Sequence, residues 1–287
     1  MSSNDGQLDN YYKKNKKLFI WAASLTLFFA LAEIIYGFIS GSLMMMGDGV
    51  HMGSDAFSLI LSLIATILAT KTVTKNKTFG YKRFEPIAAF INGFTLVIIP
   101  IFIIGEAISR MFNPIEIIPN QMLVVGTIGL VVNGIVGYIL TKANSSLNVK
   151  SAMIHVLADL FTSVSVVIAA LGIKYFGLTW LDPIGSLITS IIIIAGGVKI
   201  TKESFNILME GTPNGYSVDG IVKSLQETNQ DLTVEDVKVW CINEEEVYTL
   251  IRVKSSSKLV KNIQKVIKEL VSNHTKIPLD NIYVDLN

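Results

Sequence analysis

The chain has 287 residues, of which 51% are hydrophobic and only 16% charged, with a formal net charge of +1. Ordinary soluble domains carry about 25% charged residues, so the composition points to a membrane protein, and the near-zero balance gives no case for nucleic acid or a strongly acidic partner. Cys241 is the single cysteine, which excludes an intrachain disulfide and a multi-cysteine metal cluster.

Residues 1–17 form a polar tail ending in Lys13, Lys14, Lys16 and Lys17. The apolar run that follows from Leu18 is too long for a signal-peptide core and lacks a clean small-residue cleavage site, so it reads as a first membrane span. About 20 apolar residues cross a bilayer. Six stretches qualify, at roughly 18–40, 42–70, 86–110, 120–142, 147–173 and 178–200. Basic residues gather on one side of this series: the N-terminal lysines, Lys71 to Arg83, Lys142 and Lys150, and Lys199 and Lys202. Arg110 and Lys174 lie on the other. The positive-inside rule places both termini in the cytoplasm.

From Lys202 the composition changes, and residues 202–287 carry 23 of the chain's 47 charges. A helix is expected over Tyr216 to Gln230. Strands are expected around Val237 to Cys241 and Val247 to Val253, where apolar residues alternate with polar ones. Leu259 to Leu270 carries a second amphipathic helix, and Ile282, Val284 and Leu286 a last strand. The expected domains are therefore a tail (1–17), a six-helix transmembrane domain (18–201) and a small αββαβ, α+β cytoplasmic domain (202–287).

Ionisable side chains inside a span are costly and point to function. The second span holds Asp48, His51 and Asp55, and the fifth holds His155 and Asp159. Each His–Asp pair is spaced i,i+4 and so shares a helix face; Asp48 lies near the first pair, as a supporting ligand or relay. Two imidazoles and two carboxylates suit the tetrahedral preference of zinc. The same donors would accept cobalt, nickel, cadmium, iron or manganese, whereas the lack of intramembrane cysteine argues against copper(I). Hydrogen bonding between helices is the simpler expectation for Glu33, Glu106, Asn92 and Asn133. Asp182-Pro183 is expected as a cap or turn. The Lys71–Arg83 loop reads as a topology signal, with lipid contacts or interhelical ion pairs as the sharper alternatives. In the last domain Cys241, His274 and Asp285 could in principle bind metal, but packing or simple solvation is the plainer reading.

Several segments together resemble the cation diffusion facilitator family, in its bacterial zinc/cadmium/cobalt-resistance branch. They are Ser40-Gly-Ser-Leu, Gly47-Asp-Gly-Val-His-Met-Gly-Ser-Asp55, Phe79-Gly-Tyr-Lys-Arg-Phe-Glu85, Ile91-Asn-Gly93, His155-Val-Leu-Ala-Asp159, Asp182-Pro183 and Ile207-Leu-Met-Glu-Gly-Thr-Pro213. The resemblance implies a plasma-membrane homodimer of six-span protomers with copper-chaperone-like cytoplasmic domains. It implies metal efflux in exchange for protons through His51, Asp55, His155 and Asp159, the metal being cargo and not a cofactor. Lys238, Ile251 and Tyr283 stand where many relatives carry cytoplasmic histidines, which argues against a multi-metal site around Asp285. An intramembrane metalloenzyme and a membrane metal sensor are the alternatives. The enzyme would need an open coordination position and a general base, and the chain has no His-Glu-x-x-His motif. There is also no Gly-x-x-x-x-Gly-Lys-Ser/Thr motif, which disfavours nucleotide-driven pumping.

Overall fold

The computed structural model describes residues 24–69, 74–141, 147–228, 232–243, 246–255 and 260–286; within these, a minority of side chains, including all of 147–158, lie outside the description. The expected tail and the first residues of the first span therefore fall outside it. Among the described residues, six long helices come first: α1 (Ser24–Ser40), α2 (Leu43–Ala69), α3 (Phe84–Phe112), α4 (Pro119–Thr141), α5 (Leu147–Phe176) and α6 (Leu181–Leu208). They follow the apolar runs of the sequence, although α6 continues eight residues past the expected end at 200. Phe84–Phe112, Asp159–Phe176 and Leu181–Leu208 are long and apolar enough to cross a membrane, and Ser24–Ser40 and Pro119–Ile135 are shorter apolar helices. Their outer faces are apolar as well: Phe28, Phe38, Phe102 and Phe161 are largely exposed. Such surfaces suit lipid, and a helix satisfies its own backbone there.

The chain divides into two compact units, one of residues Met1–Leu63 with Asn92–Lys199, the other of Ile64–Ile91 with Ile200–Asn287. In the first, α4 and α5 pack side by side. A core of Phe29, Met45, Met52, Met122, Val166 and Ala170 joins α1, α2, α4 and α5. The Ser40-Gly-Ser-Leu motif is the break between α1 and α2: Gly41 takes φ +76, a conformation that glycine adopts without a Cβ clash. Ser42 then caps α2, its Oγ accepting from the Met45 amide at 3.1 Å. The carboxylate of Asp182 caps the same helix end from α6. It accepts from Ser42 Oγ at 2.5 Å and from the amides of Leu43 and Met44 at 2.9 and 3.2 Å. The expectation of a cap at Asp182 thus holds, but the capped helix is α2 and not its own. Arg110 Nη1 donates to the Gly41 carbonyl, fixing the break from α3.

In the second unit, α7 (Val218–Thr228), β1 (Leu232–Cys241), β2 (Val247–Ser255), α8 (Val260–Thr275) and β3 (Ile282–Leu286) follow the expected helix, strand, strand, helix, strand order. The sheet order is β1-β2-β3, with β1 and β2 antiparallel and β2 and β3 parallel. The parallel pair requires a crossover, and α8 supplies it. Alternation sends Val239, Cys241, Ile251 and Val253 into one core with Ile221 and Leu225 of α7 and Ile267 and Val271 of α8. On the strands' other face Trp240 stacks on its register partner Tyr248, at 5.8 Å between ring centroids. Phe79 meets Tyr248 edge-on. Partial burial and the Glu246 carboxylate push the Tyr248 hydroxyl above its ordinary pKa. Lys82 pairs with Glu246 and Arg83 with Glu210, so the end of the basic 71–83 segment forms ion pairs.

Candidate metal centre

Helix α2 presents His51 and Asp55 one turn apart, and α5 brings Asp159 to them. His51 Nδ1 stands 3.8 Å from Asp55 Oδ2, and His51 Nε2 stands 3.9 Å from Asp159 Oδ1. One ligand atom from each of the three lies within 4.8 Å of the others. Asp159 is buried, while His51 and Asp55 are partly open, with side-chain exposures of 24% and 27%. The group therefore faces an accessible space from a buried floor. His155 lies on α5 four residues before Asp159, the spacing that shares a helix face, but its side chain falls outside the described residues.

Asp48 lies beneath this group and is buried. Its Oδ1 accepts from Thr162 Oγ1 at 2.7 Å, a hydroxyl that is also 2.9 Å from the Asp159 carbonyl oxygen. Thr162 thus ties Asp48 of α2 to the turn of α5 that carries Asp159. The sequence reading missed it, although its place three residues after Asp159 puts it on that face. Ser54 donates to Asn92 Oδ1 at 2.8 Å, and Asn133 donates to Ser163 at 3.1 Å, so both asparagines do join helices as expected.

Two other expectations fail. Glu106 pairs with Arg110 one turn along its own helix, because an i,i+4 partner of opposite charge is within reach without crossing to another helix. Glu33 is fully buried on α1, yet among the described residues neither carboxylate oxygen has a hydrogen-bond partner. In the second unit Asp285 accepts from Arg252 Nε at 3.1 Å on an exposed face. Cys241 is in the apolar core, and His274 ends α8 in solvent. Among the described residues, His51, Asp55 and Asp159 are the one group of three or more such side chains close enough to hold a metal ion.

Long lipid-suited helices around a partly open imidazole–carboxylate cluster define a multi-pass membrane protein of the cation-carrier class. Residues 19–209 match the family described as the cation efflux transmembrane domain. Among curated relatives, the cadmium, cobalt and zinc/H(+)-K(+) antiporter of Bacillus subtilis is 40% identical over 79% of this chain and 74% of its own length. The zinc transporter ZitB of Yersinia pestis is 35% identical over 82% and 77%, and the metal cation efflux system protein CzcD of Cupriavidus metallidurans 33% over 77% and 70%. The chain belongs to the cation efflux family, the cation diffusion facilitators, in its zinc/cadmium/cobalt branch. It is a metal-cation transporter and not an enzyme, and the metal is cargo.

Proposed function

We propose that this chain exports zinc, with cadmium and cobalt as further cargo, from the cytoplasm in exchange for protons, and that His51, Asp55, His155 and Asp159 bind the ion. The convergence of His51, Asp55 and Asp159 from two helices carries this reading. Zinc bonds to nitrogen and oxygen of about 2.0–2.1 Å put tetrahedral ligand atoms roughly 3.3 Å apart. One ion takes only one nitrogen of His51, and one ligand atom from each of the three lies within 4.8 Å of the others, so the group needs to close by at most about 1.5 Å to meet that. The second imidazole, from His155, completes four ligands by helical register. Metal ligands must be deprotonated, so protons and zinc compete for one site, and an imidazole titrates in the physiological range. Asp48, held by Thr162, acts as a relay or orienting carboxylate. The reading extends to six spans over 18–201 with both termini in the cytoplasm. It includes a copper-chaperone-like domain over 202–287 and a plasma-membrane homodimer. Potassium is the second candidate counter-ion, since the Bacillus subtilis relative carries it in its name.

Proteoliposomes holding a pH dye test both halves. Zinc flux should drive opposite proton movement, potassium gradients alone should not support it, and a protonophore should slow uphill transport. His51→Asp should lower the zinc-to-manganese rate ratio by about tenfold, since oxygen donors favour the harder ion. An unchanged ratio removes His51 from the ligand set, and zinc flux without proton movement removes the antiport.

A further inference from the structure

Glu33 stands on a helix that supplies none of the four proposed ligands. It is 0% exposed, and among the described residues both carboxylate oxygens lack a partner. Two glycines make the slot that it occupies. A Cβ at Gly49 of α2 would come within 2.9 Å of the Glu33 Cβ, and one at Gly129 of α4 within 3.3 Å of Oε1. Among the described residues the charges that act on it are both negative, Asp48 from α2 and Asp159 from α5. Asp48 has its own oxygen, Oδ2, without a partner among the described residues. An ionised carboxylate in such a place is an uncompensated buried charge, and two acids acting on it add repulsion. A cation must answer it. A proton needs no cage of ligands: it forms an O–H bond and leaves a neutral acid that a narrow slot accommodates.

We propose that Glu33 is a second exchange group of the carrier, holding a proton while the metal site is empty and releasing it when zinc occupies Asp159. This rests on the reading of His51, Asp55, His155 and Asp159 as the zinc site. The O–H bond at Glu33 breaks, its electron pair stays on the carboxylate, and the proton leaves to water. The two positive charges of zinc cancel the field of Asp159 that favoured the neutral acid. The coupling is reciprocal, so a proton returning to Glu33 weakens zinc at Asp159 by the same factor.

Calorimetric zinc titration of the purified full-length chain, repeated in buffers of different ionisation enthalpy, counts the protons released per zinc. Glu33→Gln keeps the shape of the neutral acid and removes its proton. Zinc affinity should match the parent's within about threefold at acid pH and fall at least about tenfold below it at alkaline pH, where the parent's Glu33 is ionised, while release near neutral pH falls by about one proton per zinc. Equal release from parent and variant overturns the proposal. If His51→Ala binds zinc as the parent does, the zinc-site reading fails instead. Infrared difference spectra read the same event without relying on the variant's fold. Zinc should remove a protonated-carboxyl band from the parent, and its persistence overturns the proposal equally.

Discussion

The two units differ in what they bury beside their apolar cores. The core beneath the three-stranded sheet is made of Ile221, Leu225, Val253, Ile251, Ile267, Val271 and Ile282, and Thr249 is the buried polar residue of its strands. In the helical unit large apolar side chains such as Phe38 and Phe102 face outward, and beside the apolar core of Phe29, Met45 and Met52 the interior holds Glu33, Asp48, Asn92, Asn133, Asp159 and Asp182. Water drives apolar groups together in the first case. In lipid no such drive exists between helices, so close packing and polar contacts hold them, and the interior is free to carry ionisable groups for transport. Burial therefore means apolar packing in one unit, and apolar packing joined by polar contacts and ionisable groups in the other.

The contrast is most severely tested in the sheet. Ile251→Ala should cost about 4 kcal/mol, because Ile251 is 0% exposed and its loss leaves a cavity in a closed core. Thermal unfolding of the purified chain reads this, and zinc affinity should not change. An unshifted melting temperature would mean that this core is not what holds the sheet domain.

Asp159→Ala makes the opposite demand. Zinc affinity should fall by at least about 100-fold, or close to 3 kcal/mol, since a direct ligand matters no less than the residues that orient one. Thermal stability should hold or rise, because a buried charge beside Glu33 and Asp48 is removed. A melting temperature well below the parent's would make Asp159 a packing residue and erase the contrast.

At the small end, Arg252→Ala breaks the pair with Asp285, whose partners are 42% and 49% exposed. Exposed pairs contribute about 0.5 kcal/mol or less. The melting temperature should stay within measurement error and zinc binding should not alter. A marked loss of zinc bound per chain would restore the metal site around Asp285 that the missing histidines argue against.

The elements were legible wherever one periodicity ran long enough. Apolar runs located α1 to α6, and alternation located β1 and β2, whose Val239, Cys241 and Ile251 turn to the core. The i,i+4 spacing of His51 and Asp55 gave two of the three members of the cluster, because a helix face is a local property. What brings Asp159 to them is not local, and only the matching pair on α5 announced it. Asp182 shows the limit: its partners Ser42, Leu43 and Met44 lie some 140 residues away, and nothing around Asp182-Pro183 says whose end is capped. Glu33 was misjudged for a related reason. A glutamate in a span is equally compatible with a bonded and an unbonded neighbourhood, and the glycines that decide it, Gly49 and Gly129, come from two other helices.

The clamp on the start of α2 also sets how that helix can move. With Ser42, Leu43 and Met44 held by Asp182, and Gly41 by Arg110, one end of α2 acts as a pivot and the rest as a lever. Asp55 lies thirteen residues beyond Ser42, about 20 Å along the axis at 1.5 Å per residue. A tilt of about 10° about the pivot carries Asp55 roughly 3 Å, and His51, nearer the pivot, roughly 2 Å. Those displacements rival the 3.8 and 3.9 Å gaps in the cluster. A small swing of one rod is thus enough to gather the ligands around an ion or to part them, without melting a turn of helix.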